Sequence, residues 1–142
     1  MERDNIEIVH NALNLKRFRE PPHDKAELRR SLGFPVEDVL VGHIGRFNPP
    51  KNHRFLLQVF REFLRQQPSA KLILAGDGPL RPESEAWVKE QGIEESVYFL
   101  GVREDVPDIL RAMDMFLFPS LYEGFGLSIM EAQAAGLPCM IS

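Results

Sequence analysis

Two glutamates, Glu123 and Glu131, stand on either side of a glycine pair in "LYEGFGLSIMEAQAAG", residues 121–136. Paired carboxylates raise the question of acid–base chemistry, as in glycoside hydrolysis, where two carboxyl groups face each other across a bond at about 5 to 9 Å. The residues between them argue otherwise. Gly124 and Gly126 keep a short loop free of side-chain bulk, and a mostly apolar helical run opens at Leu127. Backbone N–H groups at a helix start point outward with a dipole that favours anions. Glu123 precedes this nest, and Glu131 lies about one turn beyond Leu127 with its side chain leaning back toward the loop. One acid in the loop, the other in the helix and anion-binding amides between them suit the two ends of an anionic molecule.

The helix itself adds a constraint. Leu127, Ile129, Met130, Ala132, Ala134 and Ala135 make it apolar on most sides, so it is expected to be largely buried. A buried carboxylate needs hydrogen-bond donors or a cation. For Glu131, ligand hydroxyls, an internal ion pair with an arginine and a solvated place on a thin exposed strip are all open.

Cations come from a second stretch, "GHIGRFNPPK", residues 42–51. Gly42 and Gly45 bracket the end of an apolar run, and Arg46 and Lys51 flank a Pro49–Pro50 turn ahead of a helix. A forked guanidinium and a compact ammonium near a helix N-terminus form a diphosphate site, and a solvated surface pair is the other reading. His43, inside the run, reads as a packing residue. "AGDGPL" (75–80) and "FLGVRED" (99–105) each read locally as turns, with Asp77 bonding to nearby amides and Gly101 ending a run. The spacing matches neither G-x-x-x-x-G-K nor G-x-G-x-x-G, which argues against a P-loop and an NAD-dependent dehydrogenase. The four histidines (His10, His23, His43 and His53) are scattered, and no Ser-His-Asp set, Cys-His pair or metal-ligand cluster is visible.

These loops need a scaffold. The apolar runs 6–9, 39–45, 70–76, 97–101, 114–120 and 137–142 are short, β-branched or aromatic, and several lack alternation, as strands covered on both faces do. Helical patterns lie between them at 27–33, 52–66, 83–92, 106–113 and 127–135, the clearest with Leu56, Val59, Phe60, Phe63 and Leu64 inward. Strand–helix alternation with short links predicts an α/β fold, a doubly wound parallel sheet. Ligands of such sheets sit beyond the carboxyl ends of the strands, where all four glycine-bearing loops fall.

With 142 residues the chain makes one domain rather than two. The net charge of −4, without a basic run, gives no draw to nucleic acid or anionic lipid. A single cysteine, Cys139, excludes an internal disulfide and reads as a small core residue. No segment reaches the roughly 18 apolar residues that span a bilayer, so a cytoplasmic location is expected, with peripheral attachment to the inner face of a membrane open only through regions beyond this chain. The chain opens on a strand and stops straight after one, where such a sheet normally gains a covering helix. An excised part of a larger protein is therefore expected.

"GRFNPPKN", "LILAGDGP", "VYFLGVREDVPDIL" and "DMFLFPSLYEGFGLSIMEAQAAGLPCMIS", in that order, resemble the C-terminal domain of group 1 (family 4) glycosyltransferases. "IEIVHNALNLKRF" is similar to the linker segment of the same family, with Asn11-Ala12 in place of Asn-Gly. The resemblance covers nearly the whole chain, and its most specific element is the E-x7-E motif, here Glu123 to Glu131. It implies the Rossmann-like C-terminal half of a GT-B enzyme over 1–142, without the N-terminal acceptor domain or the extreme C-terminal helices. It implies retaining transfer of a sugar from a nucleotide diphosphate-sugar, UDP-sugar favoured over GDP- or ADP-sugar, without a divalent metal. The roles carried over are Arg46 and Lys51, following Gly45, for the donor diphosphate and Glu123 for hydroxyls of the transferred sugar. The backbone of Gly124, Phe125, Gly126 and Leu127 would touch donor sugar and phosphate, and Glu131 would take the ribose hydroxyls. Val102 and Arg103 would form the nucleobase pocket, with Gly78 nearby. Arg46, Lys51 and Glu123 form the catalytic set. Lys51 is followed by Asn52 where the family usually has glycine, which is expected to alter the loop but keep the charge. The acceptor, a sugar or lipid-linked glycan, would be met through the absent domain, and the isolated chain is expected to bind donor without transferring sugar. A stand-alone nucleotide-sugar-binding module and a GT-B-shaped epimerase or phosphorylase are the competing functions.

Overall fold

The computed structural model describes residues 12–19 and 24–142. The predicted strand 6–9, Asn11, His10 and His23 lie outside them. Five parallel strands, β1 (Leu40–Ile44), β2 (Lys71–Ala75), β3 (Val97–Gly101), β4 (Met115–Phe118) and β5 (Cys139–Ile141), form one sheet in the order β3-β2-β1-β4-β5. Each falls inside a predicted run. The aliphatic and aromatic residues of β1, β2 and β4, Ile44 at the end of β1 apart, are buried on both faces, which is why these strands carry no polar alternation.

Six α-helices accompany the sheet: α1 (Lys16–Arg19), α2 (Lys25–Leu32), α3 (His53–Gln66), α4 (Arg81–Glu90), α5 (Val106–Ala112) and α6 (Leu127–Ala134). On one face Phe18, Leu28, Ile109, Leu110 and Ala132 of α1, α2, α5 and α6 pack with Leu40, Ile73 and Phe116. On the other, Leu56, Leu57, Phe60, Trp87 and Val88 of α3 and α4 pack with Val41, Leu72, Leu74 and Leu117. The amphipathic pattern of 52–66 thus becomes α3, with Leu56, Leu57 and Phe60 inward and Arg54, Gln58 and Glu62 in solvent.

A buried arginine sets the entry of the two central strands. Arg29 on α2 is 5% exposed, and its guanidinium donates to Ala112 O at 2.9 Å, Val36 O at 2.7 Å and Asp114 Oδ2 at 2.7 Å. Asp114 also accepts from Leu40 N at 2.8 Å and pairs with Lys25. Burial would raise the Asp114 carboxyl, but Lys25, the Leu40 amide and Arg29 hold it below the usual carboxylate range. This satisfied cluster ties α2 to the starts of β1 and β4, the strands whose far ends carry the site.

Two expectations need correction. The last helix is not largely buried. Only Ala132 of α6 is fully enclosed, and Leu127 is 50% exposed. The helix lies toward the β4–β5 side of the sheet against α1, so it has one covered face although its residues are apolar on several. Cys139 sits at the margin of the core on β5, half-buried, with its thiol pKa pushed up by that burial. Beside it, Met140 and Ile141 are more than half exposed.

Candidate functional site

The strand order reverses between β1 and β4, which makes the crevice beyond their carboxyl ends the topological switch point. The Arg46–Lys51 stretch follows β1, and the Glu123–Gly126 stretch follows β4. Residues far apart in sequence therefore meet for a reason rooted in chain order.

After β1, Phe47 is fully buried and stacks on His53 of α3 at 3.9 Å, which leaves Arg46 to turn outward into solvent. The loop is held from below by the turn after β2. Phe47 N donates to Asp77 O at 3.0 Å, and Leu80 N donates to Phe47 O at 3.1 Å. This close fit explains two glycines that read as a plain turn in sequence. A Cβ on Gly76 would stand 2.0 Å from Gly45 O, and one on Gly78 would stand 2.5 Å from Phe47 O. Only glycine lets the two backbones approach so closely. Arg46, Gly76, Asp77, Gly78 and Val102 then line an open cleft of about 460 Å3.

After β4, the chain is tied to the Pro49–Lys51 turn by two hydrogen bonds, Leu121 N to Pro50 O at 2.8 Å and Asn52 Nδ2 to Pro119 O at 3.2 Å. Asn52 has φ 54° and ψ 43°, the one non-glycine residue at positive φ among the described residues. Asparagine tolerates this left-handed conformation, so the loop expected to change at Asn52 takes the conformation a glycine favours. Its amide adds a cross-loop bond that glycine lacks. Lys51 and Glu123 form an ion pair between the two loops, with side chains 17% and 24% exposed, and the ammonium lies 5.5 Å from the centre of the Phe118 ring. Partial burial would raise the Glu123 carboxyl, but the Lys51 hydrogen bond and charge keep it below the ordinary carboxylate value.

Gly126 caps α6 in the left-handed conformation at φ 69°. Ahead of it Gly124 is open, and Phe125 and Leu127 expose 43% and 50% of their surface. Glu131, one turn into the helix, is half-buried, and its carboxylate has no hydrogen bond or ion pair with any described residue. Burial raises its pKa, opposed by the charge of Arg17 on α1. Of the three readings open for Glu131, the internal arginine pair is not formed with any described arginine: Arg17 donates instead to Glu104 O at 3.2 Å. Arg103, grouped with Val102 by resemblance, is held in a bidentate pair by Asp105 at 2.8 and 2.6 Å, outside the residues that line the cleft.

His43 is the packing residue its place in β1 suggests, fully buried with Nδ1 2.8 Å from Leu117 O. Burial drives its pKa down to about 4. His53, on the first turn of α3, is 2% exposed and has a pKa lowered to about 3 by burial, with the charges of His43 and Lys51 adding to the shift. In sequence His53 is only one of four scattered histidines, because its environment is set by Phe47 and His43, two residues of another loop and strand.

A parallel sheet of order 3-2-1-4-5, with cationic and glycine-rich loops across its switch point, defines the class: a Rossmann-like α/β domain with its ligand site at the strand ends. Residues 24–142 match the model of the Glycosyl transferases group 1 family, and the chain belongs to that family. It is 37% identical over 142 residues to EpsF of Bacillus subtilis, covering all of this chain and 37% of that protein. It is 31% identical over 141 residues to the UDP-Gal:alpha-D-GlcNAc-diphosphoundecaprenol alpha-1,3-galactosyltransferase of Escherichia coli, covering 96% of this chain and 36% of that enzyme. Among solved structures, Anabaena HepE in complex with UDP and glucose superposes with a TM-score of 0.81 at 28% identity, over 95% of this chain and 37% of that one. WaaG, a glycosyltransferase involved in lipopolysaccharide biosynthesis, does so with a TM-score of 0.81 at 25% identity, over 99% and 38%. The fold is thus that of one half of a GT-B glycosyltransferase. The chain spans a little over a third of the length of the curated relatives it matches.

Proposed function

We propose that this chain is the donor-binding part of a glycosyltransferase that moves a sugar from a UDP-sugar to an acceptor with retention of anomeric configuration. The observation that carries the reading is the meeting of Lys51 and Glu123 across the switch point, beside the Arg46 cleft. A cation, an acid and glycine-opened backbone converge there from two loops that the fold makes neighbours. HepE, a structural relative, is known in complex with UDP-glucose, which supports a uridine diphosphate donor over its guanosine and adenosine counterparts.

In this reading the diphosphate lies between the Arg46 guanidinium and the Lys51 ammonium. Both strengthen their hold as the glycosidic bond breaks and charge builds on the leaving phosphate. That neutralisation takes the place of a divalent metal. Glu123 leaves its partner Lys51 to accept from hydroxyls of the transferred sugar, and the amides of Gly124 to Leu127 contact sugar and phosphate. Glu131, without a donor from any described residue, accepts from the ribose hydroxyls. Val102 borders the base. Arg103 joins it only if its Asp105 pair opens. The leaving phosphate, held by the two cations, is placed to help deprotonate the acceptor hydroxyl on the same face.

The acceptor is proposed to be met on a further domain, so that this chain alone binds donor without transferring sugar. An acceptor sugar or lipid-linked glycan is proposed there, in line with the diphosphoundecaprenol-linked acceptor in the name of the Escherichia coli relative. No helix among the described residues is long and apolar enough to cross a membrane, and action on the cytoplasmic face is proposed. Calorimetric titration of the chain with UDP-, GDP- and ADP-glucose tests the donor assignment. Uridine is expected to bind tightest, with Arg46→Ala and Glu131→Ala each weakening it by about tenfold or more, the worth of a charge-assisted hydrogen bond. Equal binding by wild type and both variants would remove the site.

A further inference from the structure

Packing leaves one polar atom of the His43 imidazole without a partner. A carbonyl oxygen only accepts, so the 2.8 Å contact with Leu117 O places the ring proton on Nδ1. Nε2 is left with a lone pair, and it has no hydrogen-bond partner although the residue is fully buried. An unpaired buried acceptor is costly, and burial keeps the ring neutral, with a pKa of about 4, so the lone pair is present at physiological pH.

Nε2 and the arm of the site lysine border the same space above Gly45. The position that a Cβ on Gly45 would take lies 2.8 Å from His43 Nε2, 3.3 Å from Lys51 Cε and 3.4 Å from Lys51 Cδ. The lysine arm and the Nε2 edge of the imidazole thus flank the place a side chain on Gly45 would fill, and glycine there keeps that space clear. Phe118, which lies under the Lys51 ammonium, has its ring centre 6.4 Å from that of His43. In the free chain the ammonium pairs with Glu123.

We propose that His43 is a positioning residue for Lys51: when donor hydroxyls occupy Glu123, the Nε2 lone pair receives one N–H of the Lys51 ammonium. The inference rests on the donor-site reading above. An ammonium has three N–H donors, so one goes to His43 while the others reach the diphosphate. Held this way the lysine has a fixed depth and direction, and the ordering cost of a four-carbon arm is met before the phosphate arrives.

The test is calorimetric titration of UDP-glucose into wild type, His43→Asn, His43→Gln, Lys51→Met and the His43→Asn/Lys51→Met double variant. Asparagine keeps an N–H for Leu117 O and leaves the far edge empty, whereas glutamine restores an acceptor there. H43N is expected to lose about tenfold in affinity and H43Q to regain most of it, the scale of a hydrogen bond to a charged group. The double variant is expected to bind no more weakly than K51M, because two residues that act through one another do not add. The 15N resonance of His43 Nε2 should shift on addition of UDP-glucose in wild type and stay in place in K51M. A packing role alone would give neither the non-additivity nor the resonance shift. Wild-type affinity in H43N, or a tenfold loss that persists in the K51M background, overturns the inference and leaves the donor site standing. Absence of UDP-glucose binding by wild type overturns both.

Discussion

Asn52 offers the sharpest check on how the two site loops are joined. It stands at φ 54° between the Pro49–Lys51 turn and α3, and its amide donates to Pro119 O at 3.2 Å. Replacing it by alanine removes that bond, worth about 1 kcal/mol. It also forces a Cβ-bearing residue without a compensating polar group into the left-handed region, at roughly 1–2 kcal/mol. Asn52→Ala should then cost about 2 kcal/mol or somewhat more. Asn52→Gly loses the same bond and adds freedom to the unfolded chain, but it relieves the backbone, for a net loss of about 1 kcal/mol. In a domain of this size each kcal/mol moves the midpoint by roughly 4 °C, so the glycine variant should melt about 4 °C low and the alanine variant about 8–10 °C low. Thermal unfolding monitored by circular dichroism gives both midpoints, and urea denaturation gives the free energies. Titration with UDP-glucose reads the functional side, because a β4 loop freed from Asn52 presents Glu123 less steadily, and a severalfold loss is expected in N52G. If N52A is no less stable than N52G, the left-handed backbone is not the constraint described. If N52G matches wild type in both stability and affinity, the amide does not join the loops.

Two further perturbations follow from the titrating groups. Burial holds the Glu131 carboxyl above its usual pKa, so the native state binds that proton more tightly than the unfolded chain does. Stability from this residue therefore falls as pH rises from the ordinary carboxylate value through the raised one. Glu131→Gln should melt higher than wild type at pH 7, with the gap closing toward pH 4, while losing donor affinity. A melting series across pH 4–8 that shows no such convergence would contradict the assignment. His53 is displaced the other way, to about 3, so the unfolded chain takes up a proton first and stability drains away as pH falls below about 6.5. At pH 5 that amounts to roughly 2 kcal/mol. His53→Phe keeps the stack on Phe47 and should lose that much less than wild type between pH 7 and pH 5 in urea denaturation, whereas an unchanged difference would show that His53 is not the titrating group.

How much of this was legible in the chain depends on whether the cause was local. The five described strands were, since each is a short aliphatic or aromatic run, and in β1, β2 and β4 burial on both faces leaves no alternation to hide it. Glu123 and Lys51 were each visible as candidates, but their pairing was not. It needs β4 beside β1, a crossover that no local pattern in either loop records. The demand for glycine at 76 and 78 is hidden for the same reason. Their turn looks self-sufficient in sequence, while the atoms that forbid a side chain belong to Gly45 and Phe47. The burial expected of α6 failed because apolar residues on several faces of a helix show what it is able to cover, and the neighbours decide what is covered. Asn52 is the instructive case between these. Read against a family pattern it is a departure from glycine. In the structure it preserves the glycine-like backbone and adds a bond to the neighbouring loop. Of the site's parts, the charges and glycines are written in single stretches. What makes them a site is the contact of two loops, and that contact follows from the order of the strands: β1 and β4 lie side by side where the sheet reverses, with Arg29 and Asp114 fixing their starts so that their far ends deliver Lys51 and Glu123 to each other.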